Sequence, residues 1–95
     1  MAVGDAVQGL SSIATVAYAS LQPASGIEWI IHNIYYEADV TIEVYNGTSA
    51  LVFATKGSGG ALNFHDFHCT NTIYIRVKNT NAASKLIGYD GVVSK

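Results

Sequence analysis

Residues 63–69 carry the densest group of potentially reactive side chains in the sequence. They read Asn-Phe-His-Asp-Phe-His-Cys, which places two imidazoles, a carboxylate and a thiol within five residues. These groups are the usual ligands of zinc. Side chains alternate along a regular strand, so His65 and Cys69 share one face and His68 lies on the other. We therefore expect no metal site here unless a bulge brings the two imidazoles together.

No other pattern indicates catalysis. The sequence has no Gly-x-Ser-x-Gly elbow for a nucleophilic serine, and residues 57–60 lack the lysine of a phosphate-binding loop. The remaining carboxylates fall near predicted turns or on polar faces, where they are expected to be solvated: Glu28, Glu37, Asp39 and Glu43. We predict no catalytic residues, no cofactor, no bound metal and no enzymatic activity.

Aromatic side chains suggest one further kind of chemistry, the binding of sugars. The chain has six tyrosines, three phenylalanines and one tryptophan. Such rings also suit pleated sheets and protein interfaces in general. The tyrosines that the pattern favours as exposed rings are Tyr35, Tyr36, Tyr45 and Tyr74.

The elements that position these residues are short strands. Turn signals recur at residues 23–26, 37–39, 46–47, 57–60, 70–71, 79–82 and 90–91, a spacing typical of an all-β domain. We predict an all-β fold, an antiparallel β-sandwich of seven to eight short strands, and a jelly roll is the version that we expect.

Two segments alternate most clearly between apolar and polar residues, 40–45 and 72–78. This period predicts two strands whose core-facing residues are Val40, Ile42, Val44, Ile73, Ile75 and Val77. Asn46-Gly47 tolerates positive φ and predicts a tight hairpin that joins strands 39–45 and 49–55.

Residues 27–36 are apolar on both faces of a strand. Such a strand needs a cover on each side, and in a two-layer sandwich the second cover comes from a loop, a terminus or another subunit. We expect an assembly contact here, and the candidate interface residues are Trp29, Ile30, Ile34, Tyr35 and Tyr36.

Residues 1–10 show no clear period. Val3, Val7 and Leu10 are set among glycine and alanine, which predicts an N-terminal arm that orders only against another surface. We place one sandwich domain at residues 11–95 and add these three residues to the candidate interface. Deletion of the arm is expected to weaken assembly and to leave the domain folded.

Composition narrows the classes of partner. Of 95 residues, 49% are hydrophobic and 13% charged, and the net charge is −2; typical soluble domains have about 25% charged residues. The low charge favours a homo-oligomer, and without a basic cluster we expect neither nucleic acid nor membrane as a partner. Cys69 is predicted to be a buried apolar residue. No secretory signal is evident, so we expect synthesis and folding in a cytoplasm.

Three segments, taken in order, resemble the small jelly-roll head decoration (cement) proteins of tailed bacteriophages. They are residues 26–29 (Gly-Ile-Glu-Trp), the Asn46-Gly47 hairpin, and residues 88–91 (Gly-Tyr-Asp-Gly). The resemblance spans about residues 11–95 and rests on strand and turn patterns. It implies a structural virion protein on the capsid exterior, a homotrimer that binds the major capsid protein and clamps neighbouring capsid subunits, made in the cytoplasm of the bacterial host.

Three classes of function remain open at this point. A decoration protein should form a stable oligomer and bind a capsid. A lectin-like binding module of a phage fibre or attachment structure should bind sugar saturably and lose binding when a tyrosine is replaced. A metal-dependent cupin-type enzyme should contain metal. The low charge and the two-faced strand favour the first class.

Overall fold

The computed structural model describes residues 2–95, which form nine β-strands and no helix. The strands are β1 Ala6–Ile13, β2 Tyr18–Leu21, β3 Trp29–Tyr36, β4 Val40–Tyr45, β5 Ala50–Lys56, β6 Gly60–Leu62, β7 Phe67–Cys69, β8 Tyr74–Asn79 and β9 Lys85–Val93. The predicted all-β class is confirmed. Over residues 2–95 there is accordingly no helix that could cross a membrane.

Strand pairing is nested along the chain, as in one long hairpin that has been rolled up. β1 pairs with β9, β2 with β8, β3 with both β6 and β7, and β4 with β5, all antiparallel. Rolling brings β9 beside β3 and β8 beside β4. The sheets therefore have the orders β1-β9-β3-β6, with β7 also on β3, and β2-β8-β4-β5.

This arrangement confirms the predicted β-sandwich and has the strand order of a jelly roll. Nine strands are present rather than seven to eight, because residues 63–66 interrupt the strand beside β3 and divide it into β6 and β7.

Side chains from both sheets fill the space between them. The buried set is Val7, Ile13, Leu21, Ile31, Ile34, Val40, Ile42, Cys69, Ile75, Val77, Ile87 and Val93. Burial of each large aliphatic side chain stabilises the fold by about 1.5 to 3 kcal/mol. Four of the six core positions predicted for β4 and β8 are buried, and Val44 is half-buried against the core. Ile73 corrects the prediction, because it precedes the first residue of β8 and is 49% exposed. The predicted burial of Cys69 is confirmed, and it raises the pKa of the thiol.

The predicted hairpin between β4 and β5 is confirmed. Asn46 Oδ1 accepts hydrogen bonds from the backbone N–H groups of Thr48 at 3.0 Å and Ser49 at 2.7 Å, and Gly47 has a φ of 92°. Positive φ is readily adopted by glycine, which explains the residue at this position. In β5 the register shifts between the pairs Ile42–Ala54 and Glu43–Val52, so Phe53 forms a bulge.

A second bulge lies in β3 and decides which of its side chains face the core. Ile31 pairs with Gly91 and Asn33 with Asp90, so His32 is the extra residue. The bulge reverses the alternation, and both Ile31 and Ile34 are fully buried although three positions separate them. The prediction of two apolar faces along this segment is therefore wrong, since the apolar periodicity changes phase at the bulge.

The N-terminal segment also differs from expectation. Residues 6–10 belong to β1, which pairs with β9 along its whole length, and Val7 is only 4% exposed. The expected boundary at residue 10 therefore falls inside a strand that β9 orders without any other protein. The hydrophobic period of β1 is weak because glycine occupies the inward position 9, where a Cβ would lie 2.7 Å from the Tyr89 ring and would require that ring to move.

Candidate functional site

The residues of the 63–69 segment do not converge. His65 lies in the loop between β6 and β7, and its ring stacks on Phe67 at 5.0 Å between centres. His68 Nε2 lies 3.0 Å from Glu28 Oε1, whereas Cys69 is buried in the core. Over residues 2–95, no three His, Cys, Asp or Glu side chains are grouped so that they could hold a metal ion.

A polar network occupies the outer face of β3 and β9 instead. The Tyr35 hydroxyl donates a hydrogen bond to Asp90 Oδ2 at 2.7 Å, and Asn33 Nδ2 donates one to Asp90 Oδ1 at 2.7 Å. Asn33 Oδ1 in turn accepts a bond from the backbone N–H of Phe64 at 3.1 Å. The bulge at His32 is what places Asn33 and Tyr35 beside Asp90, because it shifts their register against β9.

These hydrogen bonds fix the charge state of the network. The bond from Tyr35 and then the bond from Asn33 lower the pKa of Asp90, with a further contribution from nearby His32, while partial burial opposes the shift. The pKa of Tyr35 is raised, chiefly by the same hydrogen bond to Asp90 and to a smaller extent by burial and by the negative charge of Asp90. Near neutral pH the pair is therefore a carboxylate and a neutral phenol.

A shallow open depression of about 510 Å³ lies next to this network. We call it the Asp90 groove and define it by Gln8, Leu10, Tyr35, Gly88 and Asp90. Gln8 is the register partner of Asp90, and Leu10 is that of Gly88. Gly88 forms the floor of the groove. A Cβ at this position would lie 3.6 Å from Leu10 Cδ1 and 3.5 Å from Tyr35 Cδ2, so any larger residue would fill part of the space between them.

The candidate interface residues fall into three groups. Val3, Leu10 and Tyr35 are exposed, at 72%, 76% and 43%. Trp29, Ile30 and Tyr36 are half-buried, and the rings of Trp29 and Tyr36 pack against the core. Val7 and Ile34 are buried in the core of the chain itself, which corrects their place among the interface candidates because their side chains cannot reach a partner.

Sequence reasoning missed a second exposed apolar surface. Leu51, Val52 and Phe53 on the edge strand β5 are exposed by 66%, 48% and 43%, and we call them the β5 edge. A signal was available, because three consecutive apolar residues cannot all face one core from a regular strand. Leu86, 48% exposed, was also missed and lies near Leu10, and we call Leu10, Leu86 and Tyr35 the β1 surface.

The outer face of the other sheet carries a cation held by tyrosines. Arg76 Nε donates to Glu43 Oε2 at 2.8 Å, and its guanidinium carbon lies 3.9 Å and 3.5 Å from the ring centres of Tyr18 and Tyr45. The Glu43 side chain is only 5% exposed, so the expectation that it is solvated is wrong. Its burial is possible because Arg76 is its cross-strand neighbour.

Of the four tyrosines expected to be exposed, three have rings that pack against other side chains of the chain. Tyr45 and Tyr74 pack edge to face with 5.8 Å between ring centres, and Tyr36 packs against the core. Tyr35 keeps 43% of its surface exposed and borders the Asp90 groove.

Comparisons with known proteins add little. No protein-family model matches the chain, and no curated protein matches it. Among solved structures, a crystal structure of FLHE is similar over 95% of this chain and 98% of that chain, with 14% sequence identity and a TM-score of 0.33. A similarity of this size shows neither a shared family nor a shared function.

Proposed function

We propose that this chain is a structural protein of a bacteriophage virion, which decorates the outside of the capsid and stabilises the shell by clamping neighbouring capsid subunits. The observation that carries the proposal is the presence of two exposed apolar surfaces, one on each sheet. The β1 surface includes Leu10, 76% exposed, and the β5 edge includes Leu51, 66% exposed. A protein that bridges neighbours needs contacts on at least two sides.

The edge strands that contain Leu10 and Leu51 carry few of the charges that usually protect a sheet edge. Natural edge strands commonly carry lysine or other charges that prevent pairing with another chain. β1 contains no charged residue, and Lys56 is the one charged residue of β5. Both strands lie at the edges of their sheets, which supports a homo-oligomer, expected to be a trimer, that covers them.

Clamping of this kind relies on repetition. Each apolar contact is small, but a subunit that is already held by one neighbour meets the next at high effective concentration. With 13% charged residues, the chain suits broad contacts with the major capsid protein and with its own copies.

One observation favours a second candidate, the lectin-like module of a phage fibre or attachment structure. Tyr35 offers an exposed ring beside the carboxylate of Asp90 and the carboxamide of Gln8, groups that can bind sugar hydroxyls. Saturable binding in a glycan screen that Tyr35→Ala removes would support this candidate.

Rebinding to depleted particles tests the decoration proposal. Purified chain should bind virions from which it has been removed and raise the temperature at which they release DNA. Leu10→Asp and Leu51→Asp should each weaken binding by about tenfold or more, because each places a charge in an apolar contact. Val16→Asp is the matched control, since Val16 is 68% exposed and lies in a turn outside both surfaces. Equal binding by all variants, or none by the unaltered chain, contradicts the proposal.

A further inference from the structure

The Asp90 groove combines four kinds of side chain around a glycine floor. The carboxylate of Asp90 and the carboxamide of Gln8 stand opposite each other on β9 and β1. Leu10 and the Tyr35 ring border the space above Gly88. The volume of about 510 Å³ leaves room for the end of one long side chain.

The negative charge in the groove is fixed in place by neutral donors. Each Asp90 oxygen accepts one hydrogen bond, from Tyr35 or from Asn33, both at 2.7 Å. A carboxylate offers about four lone-pair sites, so each oxygen can accept another bond. Within residues 2–95, no nitrogen of a lysine, arginine or histidine side chain lies within 4.0 Å of this carboxylate. The groove is therefore complementary to a cation.

The same chain shows which cation such groups accommodate. On the other sheet, the carboxylate of Glu43 is bound by Arg76, whose guanidinium lies over the rings of Tyr18 and Tyr45. The Asp90 groove likewise has a carboxylate beside a tyrosine ring, but no arginine of this chain lines it.

We propose that the Asp90 groove binds an arginine side chain of a partner protein. The guanidinium donates hydrogen bonds to Asp90 and to the Gln8 carboxamide oxygen, its plane packs on the Tyr35 ring, and Leu10 covers the methylene stem. A guanidinium is planar and weakly hydrated and stacks well on aromatic rings, whereas an ammonium holds its water more strongly. The proposal does not require the partner to be a capsid protein, so it can hold if the decoration function fails.

Titration followed by NMR tests the proposal on the full chain. The probe is N-acetyl-arginine methylamide, added up to roughly 100 mM so that weak binding is measurable. The amide signals of Gln8, Leu10 and Gly88 should shift saturably. The corresponding citrulline derivative, a neutral analogue of arginine, should give no saturable shift, and the lysine derivative should bind at least about threefold more weakly.

Two variants separate the charge from the shape of the groove. Asp90→Asn should weaken arginine binding by about tenfold, because it removes the charge that receives the guanidinium. Gly88→Ala keeps the charge but fills the floor at ordinary contact distances, and should weaken binding by about threefold. Ser12→Ala is the control, because Ser12 lies on β1 with Gln8 and Leu10 but outside the groove, and this variant should bind as the unaltered chain does.

Four outcomes overturn the proposal. They are the absence of saturable shifts with the arginine probe, equal binding of the citrulline or lysine derivative, unchanged binding by Asp90→Asn and Gly88→Ala, and saturable shifts of the same signals with methyl glycosides in place of arginine.

Discussion

Each of residues 88–91 has a different structural role. Gly88 forms the floor of the Asp90 groove, Tyr89 packs inward beside Trp29 with 6.3 Å between ring centres, and Asp90 anchors the polar network. The sequence pattern predicted a turn at residues 90–91, but both lie within β9. Gly91 is needed for a close approach between strands, not for a turn.

Gly91→Ala should strongly destabilise the fold. A Cβ at this position would collide with the carbonyl oxygen of Ile30 and lie 2.8 Å from Ile31 Cα, and backbone cannot move aside as a flexible side chain can. We expect the free energy of unfolding in urea to fall by about 3 kcal/mol or more. Gly57→Ala is the control, because the nearest atom to its Cβ would be 3.9 Å away. Equal stability of the two variants would show that β9 does not approach β3 so closely.

Asp90 should contribute to the acid sensitivity of the fold. Its folded pKa is lowered, so it stabilises the fold at pH values above that of an unfolded aspartate, about 3.9, and this contribution is lost as the pH falls through the lower folded value. The free energy of unfolding of Asp90→Asn should therefore fall less steeply below about pH 3.9 than that of the unaltered chain. Tyr35→Phe should give an intermediate slope, since it removes one of the two bonds. If the free energy of unfolding of Asp90→Asn fell as steeply at acid pH as that of the unaltered chain, this role would be refuted.

At the scale of elements, local signals predicted the strands and non-local contacts decided their details. The β4–β5 hairpin was predictable because Asn46-Gly47 specifies its own turn. The bulges at His32 and Phe53 were not, because they depend on pairing with other strands. The burial of Glu43 depends on Arg76, which lies 33 residues away in the chain.

The Glu43–Arg76 pair joins β4 to β8, and breaking it should be costly. Arg76→Met leaves the Glu43 carboxylate, only 5% exposed, without its cation. Loss of one partner of a buried pair destabilises by about 3 to 5 kcal/mol. The double variant Glu43→Met with Arg76→Met should recover most of this loss, because no unpaired charge remains. Chemical denaturation of Arg76→Met, Glu43→Met and the double variant measures the coupling, and simple additivity would contradict it.

Strand β1 should be essential to the fold and not a detachable arm. Deletion of residues 1–10 removes five of the eight register pairs with β9 and the buried side chain of Val7. We expect the truncated chain to melt at a much lower temperature or to be unfolded, as followed by circular dichroism. Deletion of residues 1–3 leaves every strand intact and should change the melting temperature little. A folded chain without residues 1–10 would restore the interpretation of this segment as an arm.

The whole molecule is a β-sandwich with a well-buried core and with large apolar side chains exposed on its surface. Core side chains from both sheets are buried without help from another chain, yet large apolar side chains remain exposed on β1 and on β5. From the sequence, the low charge predicted an oligomer, and the apolar residues of 27–36 predicted part of its contact surface. The structure adds exposed apolar side chains on β1 and β5. The run Leu51 to Phe53 signalled one of these surfaces, but the position of both strands at sheet edges depends on pairing with distant strands.

Under the decoration proposal the chain is a phage product, so the measurement that tests this central claim most directly is quantitative mass spectrometry of purified virions. If the chain decorates the shell, it should be a stoichiometric component, with a copy number comparable to that of the major capsid protein or a simple fraction of it. Absence of the chain from intact virions, or its presence in only a few copies per particle, would contradict the decoration proposal.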